Sequence, residues 1–413
     1  MSRLKMTHKQ ILTTIREWVR SELKPLRLCI RGMRSPRNYG FNSFCESMKM
    51  ITVTCNEKML DFAQQVVEDA VNIVGTPPCA FTVAAKGSLA QGEATPYSDI
   101  EFFFIIETKT AETKQYFMNL AMNIYFLIGN LQETKLKYMN ISELKDWFED
   151  GEMNGVKIDG LQRGAGNIPT GNGETDRKNK YINSEEEFSE KFKMVFANPD
   201  PEEAIQGDDS AMLAFTSEIY SYQRNFLDDF VRKQKQIRMN LSRQQITEDM
   251  LENDIAEYEL DIATFVEDNV VEVKPKIYRY PSLIILDLSI LYQIHASSSW
   301  DALEQLSRTG NISPSIKQAL HNLLATASYI RMCTYLFHKS QNENMVLPTI
   351  PPTQRKRNTG IKGACYLPSY YALKIIIIYM VSMKGRLLPI ERLRSEFHLC
   401  EQEGSAEANR LFA

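Results

Sequence analysis

The sequence predicts an α+β protein: a small sheet flanked by helices, followed by an α-helical bundle domain. Three observations carry this expectation. Ala80 to Glu107, AFTVAAKGSLAQGEATPYSDIEFFFIIE, reads as strand, tight polar loop, strand. Helical periodicity precedes it, with Met59, Phe62, Val66, Ala70 and Ile73 on one side of a helix, and returns after it over residues 111–131. Farther on, Ser313-Pro314 is a helix start, a cap followed by proline in the first turn, and a further helix pattern lies around Tyr370 to Met383.

Taken in order, residues 7–24 place Ile11, Leu12, Ile15, Trp18 and Val19 on one helix face. Arg31 to Phe44 mixes Gly, Pro, Asn and Ser like a loop, and a second helix is expected from Asn56 to Val74. Gly75-Thr76-Pro77-Pro78 ends that helix and delivers the chain into the first strand. There Phe81, Val83 and Ala85 alternate until Gly87-Ser88 breaks the run. Ile100 to Ile106 is almost continuously apolar, as in a strand buried on both faces. Asp99 and Glu101 interrupt its start. Side chains two apart on a strand share a face, and burying two carboxylates together is costly, so a bound cation or a wet cleft is expected there.

Beyond the 111–131 helix, a shorter helix is expected at Ile141 to Phe148 and a short strand at Gly155 to Gly160. The string GLQRGAGNIPTGNGE that follows is a loop, either lining a cleft or making a surface connection. Glu185 to Val195 and Asp209 to Met239 read as helices, the second through Met212, Phe215, Ile219, Phe226 and Phe230. Arg232, Lys233, Lys235 and Arg238 suit the C-terminus of that helix. Glu248 to Asp268 is acidic and helical in pattern.

Composition narrows the function classes. The 413 residues are 43% hydrophobic and 24% charged, an ordinary globular balance with room for two or three cores. A net charge of −4 argues against coating long nucleic acid. The seven cysteines are odd in number and form no Cys-x-x-Cys pair, the pattern of reduced thiols. The longest apolar run, Ile375 to Val381, falls short of a membrane span, and Lys5, Lys9, Arg16 and Arg20 punctuate the N-terminal pattern. A cytoplasmic protein without a membrane partner is expected.

Gly87-Ser88, then Asp99-Ile100-Glu101, resembles the signature of the polymerase-β-like nucleotidyltransferase superfamily. The fuller string GSLAQGEATPYSDIE is similar to the subgroup related to PII uridylyltransferase, matching it at Gly87, Ser88, Ala90, Gly92, Glu93, Ser98 and Asp99. Gln91 departs from the pattern, standing where that subgroup has Arg. Residues 271–340 resemble the helical substrate-binding domain of the same subgroup, with Lys274, Arg279 and Ser313 at corresponding places, although Tyr280 separates Arg279 from Pro281. The resemblance implies a nucleotidyltransferase-type mixed sheet. The resemblance covers roughly residues 60–340, and the chain is expected to divide into four regions: an N-terminal helical segment (1–55), a catalytic core (56–180), a helical connection (181–270), and a substrate-binding-like domain with tail (271–413).

The implied activity is transfer of a nucleoside monophosphate from an NTP to a hydroxyl on a protein side chain or small molecule. The resemblance assigns Asp99, Glu101 and Asp159 to catalysis and to Mg2+ (or Mn2+), and Gly87, Ser88, Lys274 and Arg279 to the nucleotide. Two carboxylates suit a hard divalent cation that also takes phosphate oxygens. No His-Asp pair is present among the five histidines, so only the transferring half of a PII uridylyltransferase is represented. The alternatives are a catalytically impaired module that binds nucleotide or a protein partner, favoured by Gln91, and an RNA-terminal nucleotide-adding enzyme, disfavoured by the acidic balance.

Overall fold

The computed structural model describes residues 2–32, 40–131, 182–187, 214–240, 244–258, 270–346, 366, 368, 370–383, 387 and 390–396. The chain forms two compact units, Met1–Arg16 with Cys55–Arg243 and Glu17–Thr54 with Gln244–Ala413. It passes between them three times, inside the helices α1 (Ser2–Gly32) and α2 (Phe41–Val74) and again after Arg243.

The first unit is built on a four-stranded mixed sheet. Its strands are β1 (Phe81–Ala85), β2 (Phe102–Ile106), β3 (Ile182–Ser184) and β4 (Ser217–Tyr222), in the order β3-β2-β1-β4. Central β1 runs antiparallel to both β2 and β4, while β3 adds to β2 in parallel. The registers sort the side chains into two faces. Phe81, Val83 and Ala85 share one face with Phe102, Phe104 and Ile106. Phe117 of α4 (Ala111–Gly129) covers it, its ring 4.9 Å from that of Phe81 and 5.5 Å from that of Phe104. The opposite face carries Thr82, Ala84, Phe103, Ile105 and Asn183, and α5 (Leu227–Asn240) lies over it with Phe230 6.0 Å from Phe103. Both central strands are buried throughout, which explains their unbroken apolar composition. Thr110 and Thr113 form a reciprocal capping box at the start of α4.

In the second unit, α6 (Gln244–Tyr258) packs on α7 (Arg279–Leu291), which also meets α8 (Ser299–Arg308) and α9 (Pro314–His338). Helix α10 (Tyr370–Met383) packs on α9, and a two-stranded ladder joins β5 (Val270–Glu272) to β6 (Asn344–Val346). Ser313 caps α9 through a hydrogen bond from the Ile316 N–H, with Pro314 in the first turn, as the sequence indicates. Wholly buried Asp287 on α7 has no N–H or hydroxyl donor at either carboxyl oxygen. Its neighbour is Asp254 on α6. Burial first, and then the Asp254 charge, hold the Asp287 carboxyl well above the usual carboxylate range. Two ionised carboxylates offer each other no donor, so this contact is satisfied when one proton is shared between them.

Several elements differ from expectation. Helix α1 runs on through Pro25 to Gly32, and α2 begins at Phe41 rather than Asn56. Phe41, Phe44, Cys45, Met48 and Cys55 are all buried at helical spacing. The long helix expected over 209–239 is replaced, among the described residues, by β4 and the shorter α5. Val83 of β1 pairs with Tyr220, and that ladder overrides the helical reading of Phe215, Ile219 and Phe226. The second core strand starts at Phe102, so Asp99 and Glu101 precede it. The expected helix at 141–148, the strand at 155–160 with Asp159, and the loop after it lie outside the described residues, as does most of the helix expected at 185–195. Residues 185–187 are helical, and Ser184 and Glu187 exchange capping hydrogen bonds there. Among the described residues no helix is long and apolar enough to cross a membrane.

Candidate active site

The site forms where β1 ends and β2 begins. Lys86 continues the ladder one step past Ala85, its N–H donating to the Glu101 carbonyl at 3.0 Å. The chain then turns at Gly87, whose φ of +61° lies in the left-handed region. A Cβ at Gly87 would stand 2.0 Å from Glu101 Oε2, so the missing side chain is the space that the Glu101 carboxylate occupies. A single helical turn follows, α3 (Gly87–Ala90), closed by Gln91 N–H to Gly87 O and Glu93 N–H to Ser88 O.

The return loop is held from several sides. Asn56 of α2 donates to Leu89 O and accepts from the Ala94 N–H, both at 3.1 Å, so one buried amide ties two points of the loop. Thr95 N–H donates to Ser98 Oγ at 2.8 Å, and Ser98 N–H to Thr95 O at 3.0 Å. Arg16 of α1 stacks its guanidinium 4.1 Å from the Tyr97 ring centre and donates to Pro96 O. A loop with this much internal bonding is preorganised: Asp99 and Glu101 are delivered from a fixed frame.

Burial separates the functional side chains from their frame. From Phe81 to Ile106 every residue is buried except Ser88, Asp99 and Glu101, which are half-buried. Ile100 between the two acids is only 3% exposed. The serine of the turn and both acids are thus the points at which this otherwise closed segment meets solvent. Asp99 Oδ1 and Glu101 Oε2 are buried oxygens that take no hydrogen bond, although each residue has other interactions.

Two half-open carboxylates fit a Mg2+ ion, which needs only one or two protein carboxylates when water and phosphate oxygens complete its octahedron. Among the described residues there is no group of three or more His, Cys, Asp or Glu side chains placed to hold a metal. Asp159, the third expected carboxylate, lies outside the described residues. Lys274 and Arg279 belong to the second unit. Lys274 opens a π-helical turn, Lys274–Tyr278, and Arg279 starts α7, donating to the Tyr258 hydroxyl at 3.0 Å with its guanidinium 5.5 Å from that ring centre.

Sequence reading missed Asn56, Arg16 and Lys86. Asn56 and Arg16 sit inside amphipathic helix patterns and act only through tertiary contact, so no local signal marks them. Lys86 is a charged residue at a strand end, and its 8% exposure is invisible without the fold.

The family model described as "Putative nucleotidyltransferase DUF294" matches residues 43–131, the segment from α2 through β1, the Gly-Ser turn, the two acids and β2 to the end of α4. The match supports a nucleotidyltransferase core carrying a general nucleotidyltransferase function. No curated protein matches the chain.

Proposed function

We propose that this protein transfers a nucleoside monophosphate from an NTP to a hydroxyl of a protein side chain or small molecule, releasing pyrophosphate, in the manner of the transferring half of PII uridylyltransferases. The observation that carries the reading is the selective opening of Ser88, Asp99 and Glu101 in an otherwise buried strand–turn–strand segment. Asp99 and Glu101 hold Mg2+ or Mn2+, which when bound neutralises phosphate charge and polarises the attacked phosphorus. The backbone at Gly87 and the Ser88 hydroxyl hold the terminal phosphates. Asp159 completes the carboxylate set and orients the acceptor hydroxyl. The fixed loop places the acids before substrate arrives, so little reorganisation is needed during reaction. A cytoplasmic setting is part of the same reading.

Incubation with each labelled NTP and Mg2+ or Mn2+, with and without cell extract, tests the reading. Asp99→Asn and Glu101→Gln remove metal-binding charge while preserving shape. Each is expected to abolish labelling with the fold intact by circular dichroism, and full activity in either variant overturns the assignment.

A second reading, a nucleotide-binding module without transfer, is favoured by one observation. Gln91, standing where the related subgroup has Arg, is buried at 7% exposure. Under that reading the wild type binds NTP without labelling any acceptor.

A further inference from the structure

Lys86 stands immediately before the Gly87 turn and opposite Glu101. Its N–H bond to the Glu101 carbonyl extends the β1–β2 register by one pair beyond Ala85–Phe102. Residues opposite one another on antiparallel strands carry their side chains on the same face, with Cβ atoms about 4.5–5.5 Å apart. Lys86 therefore shares a face with Glu101. Its backbone is extended, with φ −133° and ψ −178°, so the side chain leaves β1 as a strand residue would. Glu101 directs its carboxylate against the Cα of Gly87, the residue next to Lys86. Asp99 lies two residues before Glu101 and, like it, is half-buried.

Lysine is among the residues least often buried, because removing an ammonium from water is expensive unless an anion accompanies it. Here 8% of the residue is exposed, less than any of the three open side chains of the site. A cation withdrawn from water on the face that carries Glu101, with Asp99 two residues away along the chain, has a direct electrostatic role. It lowers the cost of holding Asp99 and Glu101 together before any ion arrives. The same charge opposes a divalent ion on those carboxylates, since like charges a few ångströms apart repel strongly in a partly buried site.

We propose that Lys86 is the internal cation of this site: its ammonium balances Asp99 and Glu101 in the metal-free protein and competes with the divalent ion for them. The inference rests on the metal-site reading of Asp99 and Glu101. It makes metal affinity a compromise, in which the lysine stabilises the empty site at the expense of the loaded one.

The test is titration of the full chain with Mn2+ alone, without nucleotide, followed by calorimetry and by the thermal midpoint. Lys86→Met keeps length and removes charge. It is expected to bind Mn2+ about tenfold more tightly than wild type. Its midpoint should fall below wild type without metal, with the deficit closing in saturating Mn2+. Lys86→Arg keeps the charge and should stay near wild type in both respects. Unchanged or weaker Mn2+ binding by folded Lys86→Met overturns the inference, because a merely structural lysine would lower stability without raising metal affinity. Should Lys86→Met fail to fold, Lys86→Gln carries the same expectation and the same refutation. If wild type takes up no Mn2+, the variant decides: uptake by Lys86→Met supports competition, whereas no uptake overturns it together with the metal-site reading.

Discussion

A methyl group at Gly87 would collide with the Glu101 carboxylate, whose Oε2 lies 2.0 Å from the position a Cβ would take. The backbone there has φ of +61°, where a side chain adds strain of about 1 kcal/mol or more. Glu101 can swing its carboxylate away, so Gly87→Ala should cost stability modestly, about 1–3 kcal/mol, while displacing an assigned metal ligand. The expected outcome is a folded protein with a somewhat lower thermal midpoint and no NTP-dependent labelling. Full labelling by Gly87→Ala would show that the Glu101 position is not critical. Much at this scale is readable in the chain itself, because Gly87, Ser88, Asp99 and Glu101 are defined by local spacing. Lys86, Asn56 and Arg16 are not, since each owes its role to a partner brought near by folding: the opposite strand, two points of one loop, and the Tyr97 ring.

Elements were legible where their periodicity had one interpretation. β1, β2 and α4 stand close to their expected limits because flanking Gly and Pro, continuous apolar runs and a capping threonine agree. The segment around β4 reads at the helical period, and pairing with β1, which no local pattern announces, makes it a strand. The α6–α7 contact was equally hidden, because Asp254 and Asp287 are 33 residues apart and only packing makes them neighbours. Burial raises both carboxyls, with Glu257 pushing Asp254 further up and Arg279 pulling it down. A folded-state value above the unfolded one means that the shared-proton contact contributes fully below the unfolded range near about pH 4. That contribution is lost as pH rises through the raised folded value. Asp287→Asn supplies a permanent N–H donor to Asp254. It should therefore raise the thermal midpoint relative to wild type at pH above the usual carboxylate range and flatten its fall as pH rises through the raised folded value. A wild-type slope retained in the variant would place the titration elsewhere.

At the scale of the molecule, the family match and the folded unit do not coincide. Residues 43–131 contain β1 and β2 but neither neighbour of that pair, since β3 and β4 come from 182–184 and 217–222. A two-stranded hairpin is marginal by itself. Here the loss of β4 would also strip the Thr82 hydroxyl of its bonds to Ser221 and the Phe226 N–H. The N-terminal part of α1 would be missing as well. Wholly buried His8, 2.9 Å from Asp69 and edge-on to Phe62, and the Arg16 stack on Tyr97 both come from it. The unit that holds the candidate site therefore draws on Met1–Arg16 and on Cys55–Arg243. A fragment of residues 43–131 should show no cooperative thermal transition and no Mn2+ uptake, although it contains Gly87, Ser88, Asp99 and Glu101. The full chain should melt cooperatively, with a midpoint that rises in Mn2+ through ligand linkage. A sharp transition and metal binding in the fragment would show that the turn and its two acids organise without β4 or α1. The long-range contacts described above would then be dispensable to the site.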